Sequence, residues 1–166
     1  IILHLSAAVP YKNVETLICA FHKLRKRGLK IVLLLAGPGH QERYGRIIES
    51  DPHLRESVYF INFVREKDLP FLYNIADVCV YPSWHEGFGM PVLEAMSCGR
   101  PVIVSDIPTF HEIVGNYDVY VPVFDYNTLS NKILELLSNS SYAEYLGNEM
   151  YKRSLKSVSY THLRAH

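Results

Sequence analysis

Two glutamates at a spacing of eight positions are the groups in this sequence most able to do chemistry. They bound the segment Glu86-Gly-Phe-Gly-Met-Pro-Val-Leu-Glu94, in which Pro91 stands where a helix would begin. Gly87 and Gly89 would let the backbone approach a ligand closely, and the free amides expected from Phe88 to Val92, at a helix start, suit a phosphate. Carboxylates beside an anion site are best explained as ligands of hydroxyl groups. The segment therefore predicts a phosphorylated, hydroxyl-rich ligand such as a nucleotide sugar.

Each part of this segment also has an ordinary structural interpretation. We expect Glu94 in the first turn of the helix, where an acidic side chain is more often a partner of the helix dipole than a ligand contact. A lone Gly-x-Gly is a weak motif. The hypothesis of a binding site rests on the joint occurrence of these features after a buried strand.

The rest of the chain alternates predicted strands and helices with short connections. The predicted strands are 1–5, 30–36, 58–61, 78–81, 101–104 and 119–121, and the predicted helices are 14–24, 41–50, 66–76, 91–97, 109–114, 128–137 and 142–155. This alternation predicts an α/β fold with a doubly wound parallel sheet of Rossmann type. Ligands of such sheets bind at the carboxyl ends of the strands.

Composition narrows the function classes. The chain has 166 residues, 48% of them hydrophobic, and 17 Lys and Arg balance 17 Asp and Glu. This balance argues against nucleic acid or a membrane surface as the partner, and no apolar run has the ~20 residues of a membrane span. Cys19, Cys79 and Cys98 lie in apolar contexts, which predicts buried, reduced thiols and a cytoplasmic location.

The two ends of the chain are expected to differ in origin. Ile1 already lies in a predicted core strand, so we expect the chain to begin inside a fold, and residues 1–157 to form the domain. Residues 158–166 lack helical or strand patterning and resemble a translated sequencing adapter. We therefore expect a non-native tail there, with a natural frayed terminus as the alternative.

The segment 86–94, with the following Ala-Met-Ser-Cys-Gly-Arg-Pro-Val-Ile, resembles the Glu-x7-Glu motif of retaining glycosyltransferases of family 4, which have the GT-B fold. Further matching segments are Pro10-Tyr-Lys-Asn13, Ala36-Gly-Pro-Gly39, residues 68–77, Tyr81-Pro-Ser83 and Glu112-Ile-Val-Gly115. The resemblance covers Ile1 to about Lys156. It implies the C-terminal, donor-binding half of such an enzyme, acting on a nucleoside-diphosphate sugar in cell-surface polysaccharide or glycolipid assembly.

The resemblance also implies roles for individual residues. Glu86 would meet hydroxyls of the donor sugar, Glu94 the ribose, and Lys12 the diphosphate, with Glu86 and Lys12 as the catalytic pair. The backbone amides of Gly87, Phe88 and Gly89 would hold the diphosphate, Met90 would belong to the donor-binding set, and the loop of Asn62, Phe63 and Val64 would hold the nucleobase through backbone groups.

Two positions depart from the family pattern. Ala7 stands where the family commonly has an arginine that contacts the diphosphate, which leaves one cation fewer on the leaving group. Asn62 stands where the family usually has glycine, but asparagine can also reach positive φ, so we expect the turn to survive.

The remaining polar and aromatic candidates carry weaker expectations. Trp84 and Phe88 would either shape the sugar pocket or fill the core beneath it. Ser83 is expected to bond local backbone. His85 and His111 have no partners at metal-ligand spacing, and His85, as a loop histidine, is expected to be exposed.

The resemblance further implies a metal-independent enzyme whose acceptor is bound by an N-terminal domain. We expect that domain to be missing here, the fragment to bind donor but transfer little, and any membrane contact, at the inner face, to be made through the missing half. Two alternatives stay open: a GT-B nucleotide-sugar epimerase, and a non-catalytic nucleotide-binding module. The loop Ser6-Ala-Ala-Val-Pro10 has no glycine, which disfavours the second.

Overall fold

A computed structural model describes residues 1–164 of the chain. The strands are β1 (Ile2–Leu5), β2 (Leu33–Ala36), β3 (Val58–Ile61), β4 (Val78–Tyr81), β5 (Val102–Ser105) and β6 (Tyr120–Val121). The helices are α1 (Val14–Lys26), α2 (His40–Ser50), α3 (Leu69–Ile75), α4 (Met90–Ser97), α5 (Pro108–Val114), α6 (Tyr126–Ser138) and α7 (Ser140–Arg164). Short 3-10 turns cover Pro10–Lys12 and Glu66–Asp68.

All six strands form one parallel sheet in the order β3-β2-β1-β4-β5-β6. The chain moves outward from β1 to β2 and β3, and then returns to the other side of β1 to continue with β4. With right-handed crossovers, the connections on the two sides of β1 lie on opposite faces of the sheet. Every residue of β2, β4 and β5 is accordingly buried. The predicted doubly wound α/β fold is confirmed.

Helix packing covers both faces of the sheet. Helix α1 packs against α6, whereas α4 packs against α5 and α7. The amphipathic pattern of α1 explains its side of this arrangement, since Leu17, Phe21 and Leu24 recur at helical spacing and are fully buried.

The order of the strands fixes where a ligand site would lie. Strands β1 and β4 are hydrogen-bonded neighbours, with Ile2 opposite Val78 and Leu3 opposite Cys79. Their following connections run in opposite directions, so a crevice opens between them at the carboxyl edge of the sheet. The loop containing Lys12 follows β1 and the loop containing Glu86 follows β4, and both therefore reach this crevice.

Helix α7 departs from the expectation for the end of the chain. It was predicted to end near Leu155, but its backbone stays helical to Arg164. The final two positions, 165–166, lie outside the described residues. The interpretation of 158–166 as a non-native tail stays a prediction.

The three cysteines are less uniform than predicted. Cys79 is buried in β4, but Cys98 is only partly buried and Cys19 is exposed. The prediction of a buried thiol at Cys19 is wrong because this position falls on the outer side of α1. None of the described helices is both long enough and apolar enough to cross a membrane.

Candidate functional site

Lys12 and Glu86 meet in the crevice between β1 and β4. The Lys12 Nζ donates to Glu86 Oε1 at 2.6 Å, although the two residues are 74 positions apart in the chain. Their side chains are only 14% and 9% exposed, so water solvates both charges poorly. Each charge is therefore stabilised mainly by its partner, and losing one partner would leave the other uncompensated. The structure thus brings the two predicted catalytic residues together as an ion pair.

Asn13 ties the loop after β1 to the loop after β4. Its backbone adopts the left-handed conformation, with φ of 55°, which asparagine tolerates better than most residues. Its buried side chain donates from Nδ2 to the carbonyl of Pro82 at 2.9 Å and accepts from Thr16 Oγ1. A backbone bond from Trp84 to Tyr11 adds a second tie. The sequence indicated Asn13 only as part of the Pro10–Asn13 segment and did not predict this role.

The loop before α4 follows β4 and therefore borders the same crevice. The amides of Gly87, Phe88 and Gly89 donate to no other described residue, whereas the amide of Val92 is already bonded to the carbonyl of Gly89. The expectation that free amides extend as far as Val92 is therefore wrong. The available donors lie at the helix start, where the helix dipole adds to their attraction for an anion.

The two glycines of this loop differ in whether the fold itself requires glycine at the position. Gly89 has a φ of 75°, and a Cβ there would lie 2.8 Å from Ile113 Cδ1. Gly87 has neither constraint, since a Cβ there would meet no atom within 4 Å. The protein's own packing thus requires glycine at 89 only, and the open space at 87 is compatible with close approach by a ligand.

Glu94 lies deeper in α4 than expected. The helix begins at Met90 rather than Pro91, so Glu94 is past the first turn and the predicted dipole position is wrong. Its Oε2 accepts a hydrogen bond from the Tyr73 hydroxyl at 2.7 Å. Burial, reinforced by this carboxylate, raises the pKa of Tyr73, so the phenol remains a donor. Nothing in the sequence signalled this bond.

The segment Asn62, Phe63 and Val64 follows β3, and its residues Phe63 and Val64 line an open groove of about 510 Å³. Phe63 is 79% exposed. The groove is lined by residues of this segment and of α3, namely Ile61, Phe63, Val64, Arg65, Asp68, Phe71, Leu72 and Ile75. Asn62 does not adopt a positive φ, since among non-glycine residues 1–164 only Asn13 and Phe124 do. The expectation that Asn62 supports a glycine-like turn is wrong, because the backbone there needs no such conformation.

Ala7 follows the end of β1 and is exposed. The nearest titratable ring in the same strand, His4, is fully buried, with Nδ1 2.8 Å from the Val80 carbonyl and Nε2 2.6 Å from Ser6 Oγ. Burial lowers the pKa of His4 to about 3, so its ring is neutral and contributes no cation to the site. The side chains of His4 and Ala7 therefore do not replace the arginine that the family pattern places at position 7.

Several secondary candidates have clear positions. Trp84 and Phe88 are 41% and 50% exposed, which excludes the core-filling alternative, and Trp84 packs against Phe124. Ser83 was expected to bond backbone, but its hydroxyl donates to Glu86 Oε1 at 2.7 Å, so that expectation is wrong. Thr109 Oγ1 donates to the Glu86 carbonyl at 3.1 Å, a contact that the sequence gave no signal for.

His85 is exposed in its loop, as expected, and His111 of α5 is also exposed. His85 lies beside Tyr11, and His111 stacks on Tyr120 and bonds Asp106. Within the part of the chain that the structure describes, no group of three or more His, Cys, Asp or Glu side chains could hold a metal ion.

Comparisons with known proteins show which family and which structures the chain resembles. The family model described as glycosyl transferases group 1 matches residues 1–153. O-antigen chain mannosyltransferase B of Escherichia coli is 34% identical over 146 residues, which are 86% of this chain and 38% of that protein.

Two solved structures extend the comparison to the fold. Sucrose-phosphate synthase from Thermosynechococcus elongatus matches with a TM-score of 0.84 and 29% identity, over 93% of this chain and 40% of that one. Alr3699/HepE of Anabaena, solved in complex with UDP-glucose, matches with a TM-score of 0.81 and 22% identity, over 93% and 43% of the respective chains. The chain thus spans roughly two fifths of the length of each of these proteins.

Proposed function

The chain belongs to the glycosyl transferases group 1 family, and on that premise we propose that it is the donor-binding half of a retaining glycosyltransferase. Its ligand would be a nucleoside-diphosphate sugar, and the full enzyme would transfer the sugar to an acceptor held by a second, N-terminal domain. The observation that carries this proposal is the convergence of Lys12, Glu86 and the free amides of residues 87–89 at one crevice.

The diphosphate would lie against the start of α4. Oriented amides and a nearby lysine supply positive charge where the leaving β-phosphate gains negative charge, and they do so without reorganising during the reaction. Lys12 would turn from Glu86 toward the phosphate, a short movement for a long and flexible side chain. We propose that this charge is sufficient without a metal ion.

The two carboxylates would orient the hydroxyl groups of the ligand. In each, one oxygen is bonded by the protein: Oε1 of Glu86 by Lys12, and Oε2 of Glu94 by Tyr73. The second oxygen of each carboxylate is therefore the acceptor offered to the ligand. We assign Glu86 to the donor sugar and Glu94 to the ribose.

The nucleobase would occupy the groove beside Asn62, Phe63 and Val64, where backbone groups and apolar side chains are both within reach. The structure solved with UDP-glucose supports a ligand of this class. The name of the mannosyltransferase relative supports a hexose donor and an acceptor in surface polysaccharide assembly. Family membership favours this function over an epimerase or a non-catalytic nucleotide-binding module.

A binding panel tests the proposal. The 166-residue chain is titrated with UDP, GDP, ADP and the corresponding diphosphate sugars in EDTA, with Tm and calorimetric Kd as readouts. We expect at least one diphosphate sugar to raise the Tm by mass action. Glu86→Gln should spare binding of the nucleoside diphosphate and weaken binding of its sugar. A protein that responds to no nucleotide would contradict the proposal.

A further inference from the structure

Ser83 is held in a buried position directly beside the proposed sugar-binding carboxylate. It lies two positions beyond the end of β4 and is fully buried. Its hydroxyl donates to Glu86 Oε1 at 2.7 Å, and the same oxygen accepts from Lys12 Nζ at 2.6 Å. One carboxylate oxygen is thus bonded by two donors, while the described residues show no hydrogen bond to Oε2.

The loop around Ser83 is itself fixed through its carbonyl oxygens. Ser105 Oγ of β5 donates to the Ser83 carbonyl, and Thr109 Oγ1 of α5 donates to the Glu86 carbonyl. Asn13 bonds the Pro82 carbonyl from the opposite side. Because backbone on both sides of Glu86 is tied to neighbouring elements, the Ser83 hydroxyl is a fixed donor and not a freely rotating surface group.

The two donors to Glu86 Oε1 should respond differently when a ligand binds. Lys12 is charged and flexible, and a diphosphate would compete with Glu86 for its ammonium group. Ser83 is neutral and buried, so it has no such competitor. Once Lys12 turns to phosphate, Ser83 is the remaining donor that keeps Oε1 occupied and Oε2 directed outward.

We infer that Ser83 is a positioning residue that orients Glu86 toward the donor sugar. The inference rests on the proposed function and deepens it. It assigns the two oxygens of Glu86 to different tasks: Oε1 is an anchor point for Ser83 and Lys12, and Oε2 is the acceptor for a sugar hydroxyl. Ser83 touches no ligand and acts through Glu86 alone.

The test compares ligands that differ only in the sugar. Calorimetric Kd values are measured for GDP against GDP-mannose and for UDP against UDP-glucose, and the ratio within the better-binding pair gives the gain in affinity due to the sugar. We expect Ser83→Ala and Ser83→Cys to bind the nucleoside diphosphate within about twofold of wild type and to lose at least fivefold of that gain. Ser83→Thr, which keeps the hydroxyl, should retain it.

Ser50→Ala is the matched control, because the Ser50 hydroxyl bonds only its own helix, at the Ile47 carbonyl, away from the crevice. Tm values identify any variant that fails to fold, and the Cys and Thr variants then carry the comparison. An unchanged sugar gain in Ser83→Ala or Ser83→Cys would overturn the inference while leaving the proposed function intact. The inference would also be overturned if wild type bound the nucleoside diphosphate and its diphosphate sugar with equal affinity. Absence of all nucleotide binding would instead refute the proposed function, and the inference with it.

Discussion

At the scale of single residues, the Lys12–Glu86 pair joins two roles that the proposed mechanism keeps apart. One group is expected to serve the phosphate and the other the sugar, yet they bond each other at 2.6 Å in a mostly buried setting. Such a pair is costly to break from one side, because the remaining charge loses its partner away from water. In the absence of ligand, the pair gives each charge a partner, and a bound ligand could then replace one partner with its own polar groups. This is consistent with a site whose side chains are already in place before the ligand binds.

Removing the lysine should weaken both diphosphate binding and folding stability. We expect Lys12→Ala to weaken calorimetric binding of UDP or GDP by roughly tenfold to a hundredfold, the range for one charge-assisted hydrogen bond. It should also lower the free energy of unfolding by about 1–3 kcal/mol, because Glu86 keeps only Ser83 as a donor. Lys67→Ala, at an exposed position, is the control. Unchanged diphosphate affinity in Lys12→Ala would remove Lys12 from the proposed site.

From the sequence, it could be predicted better which residues meet in the crevice than which contacts they make there. Glu86 and Lys12 stand in recognisable motifs, and the structure brings both into one crevice. The partner of Ser83 was not predictable, since a serine hydroxyl after a strand can reach backbone or side chain equally well. Glu94 was misplaced because its position in the helix depends on a start one residue earlier than the proline suggests.

At the scale of elements, the start of α4 depends on one glycine more than on the other. Gly89 is the residue that enters the helix in the left-handed conformation, with Ile113 and Phe110 of α5 packed against its Cα. Gly87 precedes it in open space. The loop therefore contains a glycine that the fold requires and, two positions before it, a glycine that we propose contributes to binding.

Paired substitutions should separate these two roles. Gly89→Ala should lower the free energy of unfolding by about 1–3 kcal/mol, because its φ of 75° is strained for alanine and the new Cβ would crowd the flexible end of Ile113. Gly87→Ala should change stability by less than about 0.5 kcal/mol and weaken diphosphate binding. Urea unfolding and calorimetry measure the two effects. Equal destabilisation by both substitutions would contradict this division.

The elements themselves were predictable in kind and order but less so at their ends. The predicted bounds of β3 and β4 are confirmed, since each is a short apolar run between polar or turn residues. Strand β2 was predicted from residue 30 but begins at Leu33, where pairing with Ile2 of β1 begins. That limit is set by the partner strand and not by local hydrophobicity, so the local pattern could not supply it.

At the scale of the whole molecule, two buried histidines connect the folding of the sheet to pH. His4 lies in β1 and bonds β4 through the Val80 carbonyl, and His40 opens α2 and bonds the Ser6 carbonyl. Burial lowers the pKa of both rings, in the case of His4 from 6.5 to about 3. The folded protein therefore holds both rings neutral over a pH range in which the unfolded chain would protonate them.

This difference predicts acid destabilisation with a definite sign. Between pH 6.5 and 3 the unfolded state binds the proton that folded His4 excludes, so the stabilising contribution is complete above pH 6.5 and declines as the pH falls. From pH 7.5 to pH 5, His4 alone should remove about 2 kcal/mol from the free energy of unfolding, and His40 acts in the same direction. His4→Asn, whose amide can still bond the Val80 carbonyl, should show a smaller decrease over the same interval in urea unfolding. His85→Asn, at an exposed loop position, should follow wild type. Parallel pH profiles for wild type and His4→Asn would show that His4 does not couple folding to pH.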